Sequence, residues 1–420
     1  MMSRCCRLAV FALLACLSLL GQEASSGISV PVTISGNVRN AHGQPTEDDP
    51  ATSTTAGFRA VLSPTLRIGP HWFFYSALEV HSSSYFPYET GLDDDQPVYF
   101  EVMQAYAGYT TTVSAVTLLI KAGQLSSAFG LFPLEYDDSK MPLIDAPPVY
   151  TTNLPLRADQ RPCGVNDILQ QTYGSDIDYN CGGSENDRYG LVPVTLYGLP
   201  SIEAELSFSR VDARLQITNS SPANPQGLGS RSQFAQWTAG AGYTLPAGLH
   251  VGMSGFTGPY LDRIFAPLLP AGSTNRDYSA SGIGVDAQWS RGAWSIRGEW
   301  QRFHFNLPGF ITSPSEVSEY AEVKRILSPR AFFALRASVQ DFSRIEDASG
   351  TSAEHFAAPQ QVYELTVGYR LNRHQLLKFG ADWTKRNAWS ANGWYWPPTQ
   401  SYTFEAQLVT SLTAMSKALR

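Results

Sequence analysis

The sequence is short of charge, lysine, mature cysteine and long apolar runs, and each shortage narrows what the chain can be. Only 16% of its 420 residues are charged, against roughly 25% in ordinary soluble domains. The net charge of −7 comes without any basic block, which removes the electrostatic footprint of a nucleic-acid binder. After residue 26 no stretch approaches the roughly 20 apolar residues of a spanning helix. The nucleophile elbow G-x-S-x-G, the zinc motif H-E-x-x-H and metal-ligand spacings are missing, and the seven histidines are scattered. A catalytic role, a metal and a cofactor are therefore not expected. The adjacent acids Asp137 and Asp138 read as solvated loop charges, not as an acid/base pair. Ser/Pro tracts and charge blocks of the kind that link domains are absent, so residues 27–420 read as one domain.

The first 26 residues carry Arg4 and Arg7, an apolar run from Leu8 to about Leu20, and small residues at Ala24–Ser26. That is the layout of a secretory signal peptide. Its removal takes away Cys5, Cys6 and Cys16 and leaves Cys163 and Cys181. An even pair in an exported chain is expected to form a disulfide, and closing a loop of this size contributes about 3 kcal/mol.

Aromatics and period-two alternation are abundant. In "GFRAVLSPTLRI", Phe58, Ala60, Leu62, Leu66 and Ile68 share one face; Arg59, Ser63, Thr65 and Arg67 share the other. "SIEAELSFSR" sets Ile202, Ala204, Leu206 and Phe208 against Glu203, Glu205, Ser207 and Ser209. "AWSIRGEW" sets Trp294, Ile296 and Trp300 against Arg297 and Glu299, and "VYELTVGYRL" repeats the pattern from Tyr363 to Leu371. Such runs last about ten residues, the length of a tilted membrane-spanning strand and about twice that of a soluble one. Lipid cannot satisfy an open sheet edge, so spanning strands must close on themselves.

Short turns, among them "GPH" (69–71), "YGLPS" (197–201), "LPAG" (245–248) and "LNRH" (371–374), alternate with long polar connections. The expected fold is all-β: a transmembrane antiparallel up-and-down barrel of about 16 strands, within a range of 14 to 18, with a bacterial outer-membrane location. Trp72–Tyr75 and the tryptophans 289, 294 and 300 suit the aromatic girdles of such barrels.

The third long connection, residues 126–188, stands apart. It holds ten acidic residues against four basic ones, and its Phe, Leu and Tyr content argues against disorder. Residues 121–150, "KAGQLSSAFGLFPLEYDDSKMPLIDAPPVY", resemble the strand-to-loop junction of the phosphate-selective porin O/P-like group and related uncharacterised bacterial porins. Residues 242–262 and 320–337 resemble hairpins of the same group. The resemblance implies a third loop folded inward as a constriction. It implies Phe129, Phe132, Glu135, Tyr136, Asp137, Asp138 and Asp145 at the narrow point. Alternation aims Arg59, Lys121, Arg297, Arg336 and Lys378 at the lumen as the opposing wall. With only six lysines, phosphate selectivity is not carried over.

The expected function is passive diffusion of small hydrophilic solutes or ions across an outer membrane, whose lipid is the main partner, with a homotrimer left open as the assembly. A sugar-specific channel using Phe129, Phe132, Tyr136, Tyr150 and the "WYW" of residues 394–396 is the alternative, and an outer-membrane enzyme a more distant one.

Overall fold

A computed structural model describes residues 27–43, 52–86, 98–170, 179, 181–183, 190–219, 221, 223, 234–391, 394–396 and 398–417. The proposed signal peptide lies outside the described residues.

Sixteen strands close an antiparallel barrel. The first quarter is β1 (Gly27–His42), β2 (Thr52–Leu62, resuming at Thr65–Ile68), β3 (Trp72–Ser82) and β4 (Val98–Val113). Next come β5 (Val116–Leu125), β6 (Leu199–Phe208), β7 (Val211–Asn219) and β8 (Ala235–Thr244). They are followed by β9 (Leu249–Pro259), β10 (Ser279–Arg291), β11 (Trp294–Phe305) and β12 (Ser315–Ile326). β13 (Ala331–Phe342), β14 (Gln360–Arg370), β15 (Gln375–Arg386) and β16 (Thr399–Lys417) complete the wall. Closure is between the ends of the chain: β16 pairs with β1 from Gly27↔Lys417 to His42↔Tyr402.

Local chemistry explains the irregularities. Pro64 has no N–H to give the ladder, so β2 breaks at residues 63–64, yet its register on β1 continues unshifted from Val32↔Leu62 to Ser29↔Thr65. Between β3 and β4 the register slips once, from Ala77↔Gln104 to Leu78↔Val102. Met103 is the extra residue of that bulge, and it comes to lie beside Arg59. Residues 197–201 are a correction to the sequence reading. They are not a short turn: β6 already begins at Leu199, and the tight turn is Ser209–Arg210, with Ser209 at φ 55°. The third long connection consequently runs through residue 198.

The two faces of the wall differ as alternation requires. Ile34, Val38, Leu215, Ile283, Val285, Leu335, Leu365 and Val367 are exposed, while Arg59, Glu79, Gln216, Glu299, Arg336 and Lys378 are buried. An apolar outer face over a polar inner one is the pattern of a barrel that crosses lipid. Exposed rings gather toward both ends of the strands. Trp72, Phe208, Tyr243 and Trp294 lie by the short turns; Phe100, Trp237, Tyr402 and Phe404 lie toward the long loops.

Depth on this face is testable. Leu365 is mid-strand on β14 and faces Leu335 of β13 across the ladder. Leu206 is two residues from the end of β6. Leu365→Arg should cost about 2–4 kcal/mol and Leu206→Arg about 0–1 kcal/mol, read as urea-unfolding midpoints in detergent. Equal losses for the two would contradict this placement.

Candidate functional site

Residues 126–198 form one long excursion between β5 and β6. It includes the short helices α1 (Phe132–Glu135) and α2 (Val165–Gln170). Cys163 and Cys181 are joined by a disulfide within it. Asp347, between β13 and β14, accepts from the Val165 N–H at 3.0 Å and ties α2 to a neighbouring loop.

The first half of the excursion is hydrogen-bonded to the polar face of the wall at many points, Arg214, Gln216 and Ser254 among them, and three of these points centre on a carboxylate. The first is Glu299 of β11, which is buried. Its carboxylate accepts from the Leu131 N–H (3.1 Å), the Phe132 N–H (3.0 Å), the Tyr150 hydroxyl (2.9 Å) and the Tyr320 hydroxyl (2.6 Å). Such charge-assisted bonds are the stronger kind. Gly130 makes this approach feasible. It sits at φ +74°, and a Cβ there would stand 2.5 Å from the Tyr150 hydroxyl and 2.7 Å from Glu299 Oε2.

The second place is Asp138. Ser35 Oγ (2.8 Å), Arg59 Nη1 (2.9 Å) and Tyr85 Oη (2.9 Å) all donate to it. Arg59 also holds Glu79 at 2.8 Å and lies 4.8 Å over the Tyr136 ring. Burial pushes the Asp138 carboxyl upward, but Arg59, Lys378 and the Ser35 and Tyr85 hydroxyls more than offset it and hold it below the ordinary aspartate value. Lys378 Nζ donates to the carbonyls of Asp138 (2.9 Å) and Leu143 (3.2 Å).

The third place is Asp145. Its carboxylate pairs with Arg39, which also holds Glu405 at 2.7 Å, and its carbonyl accepts from Arg336 Nη2 at 2.7 Å.

The residues named from the sequence therefore divide. Asp138 and Asp145 meet wall cations, together with Arg59, Arg336 and Lys378. Asp137 turns back on its own segment, accepting from the Ser139 N–H at 2.9 Å and pairing with Lys140 at 3.3 Å. Lys121 pairs with Glu203 at 2.9 Å and with Glu205, both on β6 and neither in the excursion. Arg297 holds Glu322 at 2.7 Å and stands 5.8 Å over the Phe132 ring. Phe129 and Phe132 are fully buried in an apolar cluster with Phe256, Phe303 and Phe305 of the wall, so they anchor the segment. The Glu135 side chain and those of residues 394–396 lie outside the described residues.

Arg39, Glu79 and Glu299 were missed. Their alternation was visible, but nothing local marks which buried polar residue will meet a loop. The inward aromatics Phe256, Phe303 and Phe305 were missed because a lumen is expected to be polar.

Two cavities flank the fastened segment. One, of about 540 Å³, is lined by Arg39, Asp145, Glu364, Asp382 and Glu405 and reaches Arg386 and Ser401 toward the long loops. The other, of about 470 Å³, is lined by Arg59, Lys121, Asp137, Asp138 and Arg214 and reaches Ser63, Ser207 and Asp212 by the short turns. Tyr136 lines both.

The fold is similar to that of solved outer-membrane channels. The anion-selective porin from Comamonas acidovorans matches with a TM-score of 0.54 at 10% identity, over 92% of this chain and 100% of that one. The outer membrane channel DcaP of Acinetobacter baumannii matches at 0.53 and 10%, over 94% and 99%. Pseudomonas putida OprB matches at 0.53 and 10%, over 92% and 94%. No family model matches the chain, and no curated protein matches its sequence. The closed 16-strand barrel is the architecture of bacterial outer-membrane porins and supports an outer-membrane location for this chain. The narrower assignment to the phosphate-selective group gains no support from these likenesses.

Proposed function

We propose that the chain is a porin-like, non-catalytic channel for small hydrophilic solutes or ions, with residues 129–150 as its constriction. The observation that carries this is the pair of cavities on either side of the segment, with Tyr136 shared between them. A solute passing from the long-loop end to the short-turn end would meet Arg39 and Asp145 first, then Tyr136, then Arg59 and Asp138. Opposed fixed charges at such a point orient dipolar and charged solutes.

The wall adds carboxylates that the expected ring of basic residues did not include: Glu364, Asp382 and Glu405 toward the long loops. The constriction then prefers cations weakly, since Arg39, Arg59, Arg336 and Lys378 offset most of the acids. The preference should strengthen at low salt, because the Debye length grows from about 10 Å at 0.1 M to about 30 Å at 0.01 M.

Planar-bilayer recording tests this. The purified protein should conduct KCl, and deleting residues 133–142 should raise single-channel conductance. An intact channel whose conductance is unchanged by the deletion would show that the segment does not line the path.

A further inference from the structure

Across β11 to β16 the inner face carries a belt of directly opposed residues: Arg297↔Glu322, Glu322↔Arg336, Arg336↔Glu364, Glu364↔Asp382 and Asp382↔Thr403. The charges alternate as far as Glu364, where the next position repeats the sign. Two carboxylates directly opposite one another on adjacent strands destabilise a sheet. Arg336 serves Glu364, whereas Asp382 faces Thr403 on its other side, interacting with that hydroxyl and, more weakly, with Arg39 across the long-loop cavity. Oδ1 of Asp382 is buried and has no hydrogen-bond partner among the described residues. A buried acceptor left unmade is costly, and the Asp382 residue lines the 540 Å³ cavity on the long-loop side.

We propose that Asp382 is the specificity-determining residue of that cavity and receives the ammonium group of an organic cation, a small amine, on its way through the channel. The inference rests on the porin-like reading and names its solute class. A cation beside the Asp382 carboxylate restores the alternation of the belt and offsets the charge it opposes to Glu364. An ammonium fits better than a metal ion: no group of three or more His, Cys, Asp or Glu side chains able to hold a metal is present among the described residues. The same cavity offers Tyr85, Phe86, Ile144 and Val362 for the carbon skeleton of an amine.

Liposome-swelling rates with 1,5-diaminopentane and its uncharged counterpart 1,5-pentanediol test the proposal. The wild-type channel should admit the diamine about tenfold faster, the factor expected for one charge-assisted hydrogen bond. Asp382→Asn should bring the ratio near one and Asp382→Glu should keep it, while both variants still form channels that conduct KCl. Removing the opposed charge should leave the urea-unfolding midpoint of Asp382→Asn equal to wild type or higher. Equal rates for diamine and diol in the wild-type channel would overturn the proposal without recourse to any variant. So would an unchanged ratio in Asp382→Asn, or a marked fall in its unfolding midpoint, which would make Asp382 a structural partner. A wild-type protein that conducts no KCl would instead sink the porin-like reading beneath it.

Discussion

Glu299→Leu should release the start of the segment proposed as the constriction and leave the barrel standing. The substitution strips the acceptor from the Leu131 and Phe132 N–H groups and from the Tyr150 and Tyr320 hydroxyls. Each donor left unpaired in place would cost about 1–3 kcal/mol. The segment can avoid that cost by lifting away into water, whereas the backbone ladders of β11 with β10 and β12 do not depend on this side chain. The expected result is a folded protein with higher, noisier single-channel conductance and faster proteolysis between residues 129 and 150. Glu299→Gln keeps one acceptor oxygen and should lie between the two. Wild-type conductance noise and protease resistance in Glu299→Leu would mean that Glu299 does not hold the segment.

Arg59→Met should act on stability directly. The Arg59 side chain is 2% exposed and its partners Glu79 and Asp138 are 0% and 5% exposed, so its removal leaves two carboxylates facing each other under Tyr136. Breaking a buried pair from one side costs about 3–5 kcal/mol. Asp138 keeps Ser35 and Tyr85, and Lys378 is nearby; Glu79 has no such second cation among the described residues. The loss should be plain in urea-unfolding midpoints in detergent. The double variant Arg59→Met with Glu79→Gln should recover much of it, because the orphaned charge goes too. Failure of the double variant to recover would shift the weight from the pair to the arginine's packing over Tyr136 and Phe86.

The pair has a pH dependence of known sign. The Asp138 carboxyl is held below its ordinary value of 3.8, so its contribution is complete above that value and fades only as pH falls through the lower, folded-state value. Docking through Asp138 should persist across the neutral and mildly acidic range.

The barrel could be read from the chain because its signals are local. Facing is set by the period of two, so Arg59 and Leu62, or Glu299 and Trp300, announce their sides from their immediate neighbours. Strand length against bilayer thickness, and short turns against long connections, then set the strand count within narrow limits. Pairing Cys163 with Cys181 was equally local. The one misplaced turn came from "YGLPS", whose Gly and Pro look like a hairpin but precede β6, while Ser209–Arg210 turns without either.

The site was not local, and only the tertiary structure decided it. Ser35 and Asp138 are 103 residues apart, and Lys378 reaches back across 240 to the Asp138 carbonyl. Which loop acid meets which wall cation depends on the stagger of sixteen strands, on one bulge at Met103, and on how the segment bends at Gly130. Alternation could say that Glu364 and Asp382 both point inward. Only the register of β14 on β15, a long-range property, places these two wall acids opposite one another.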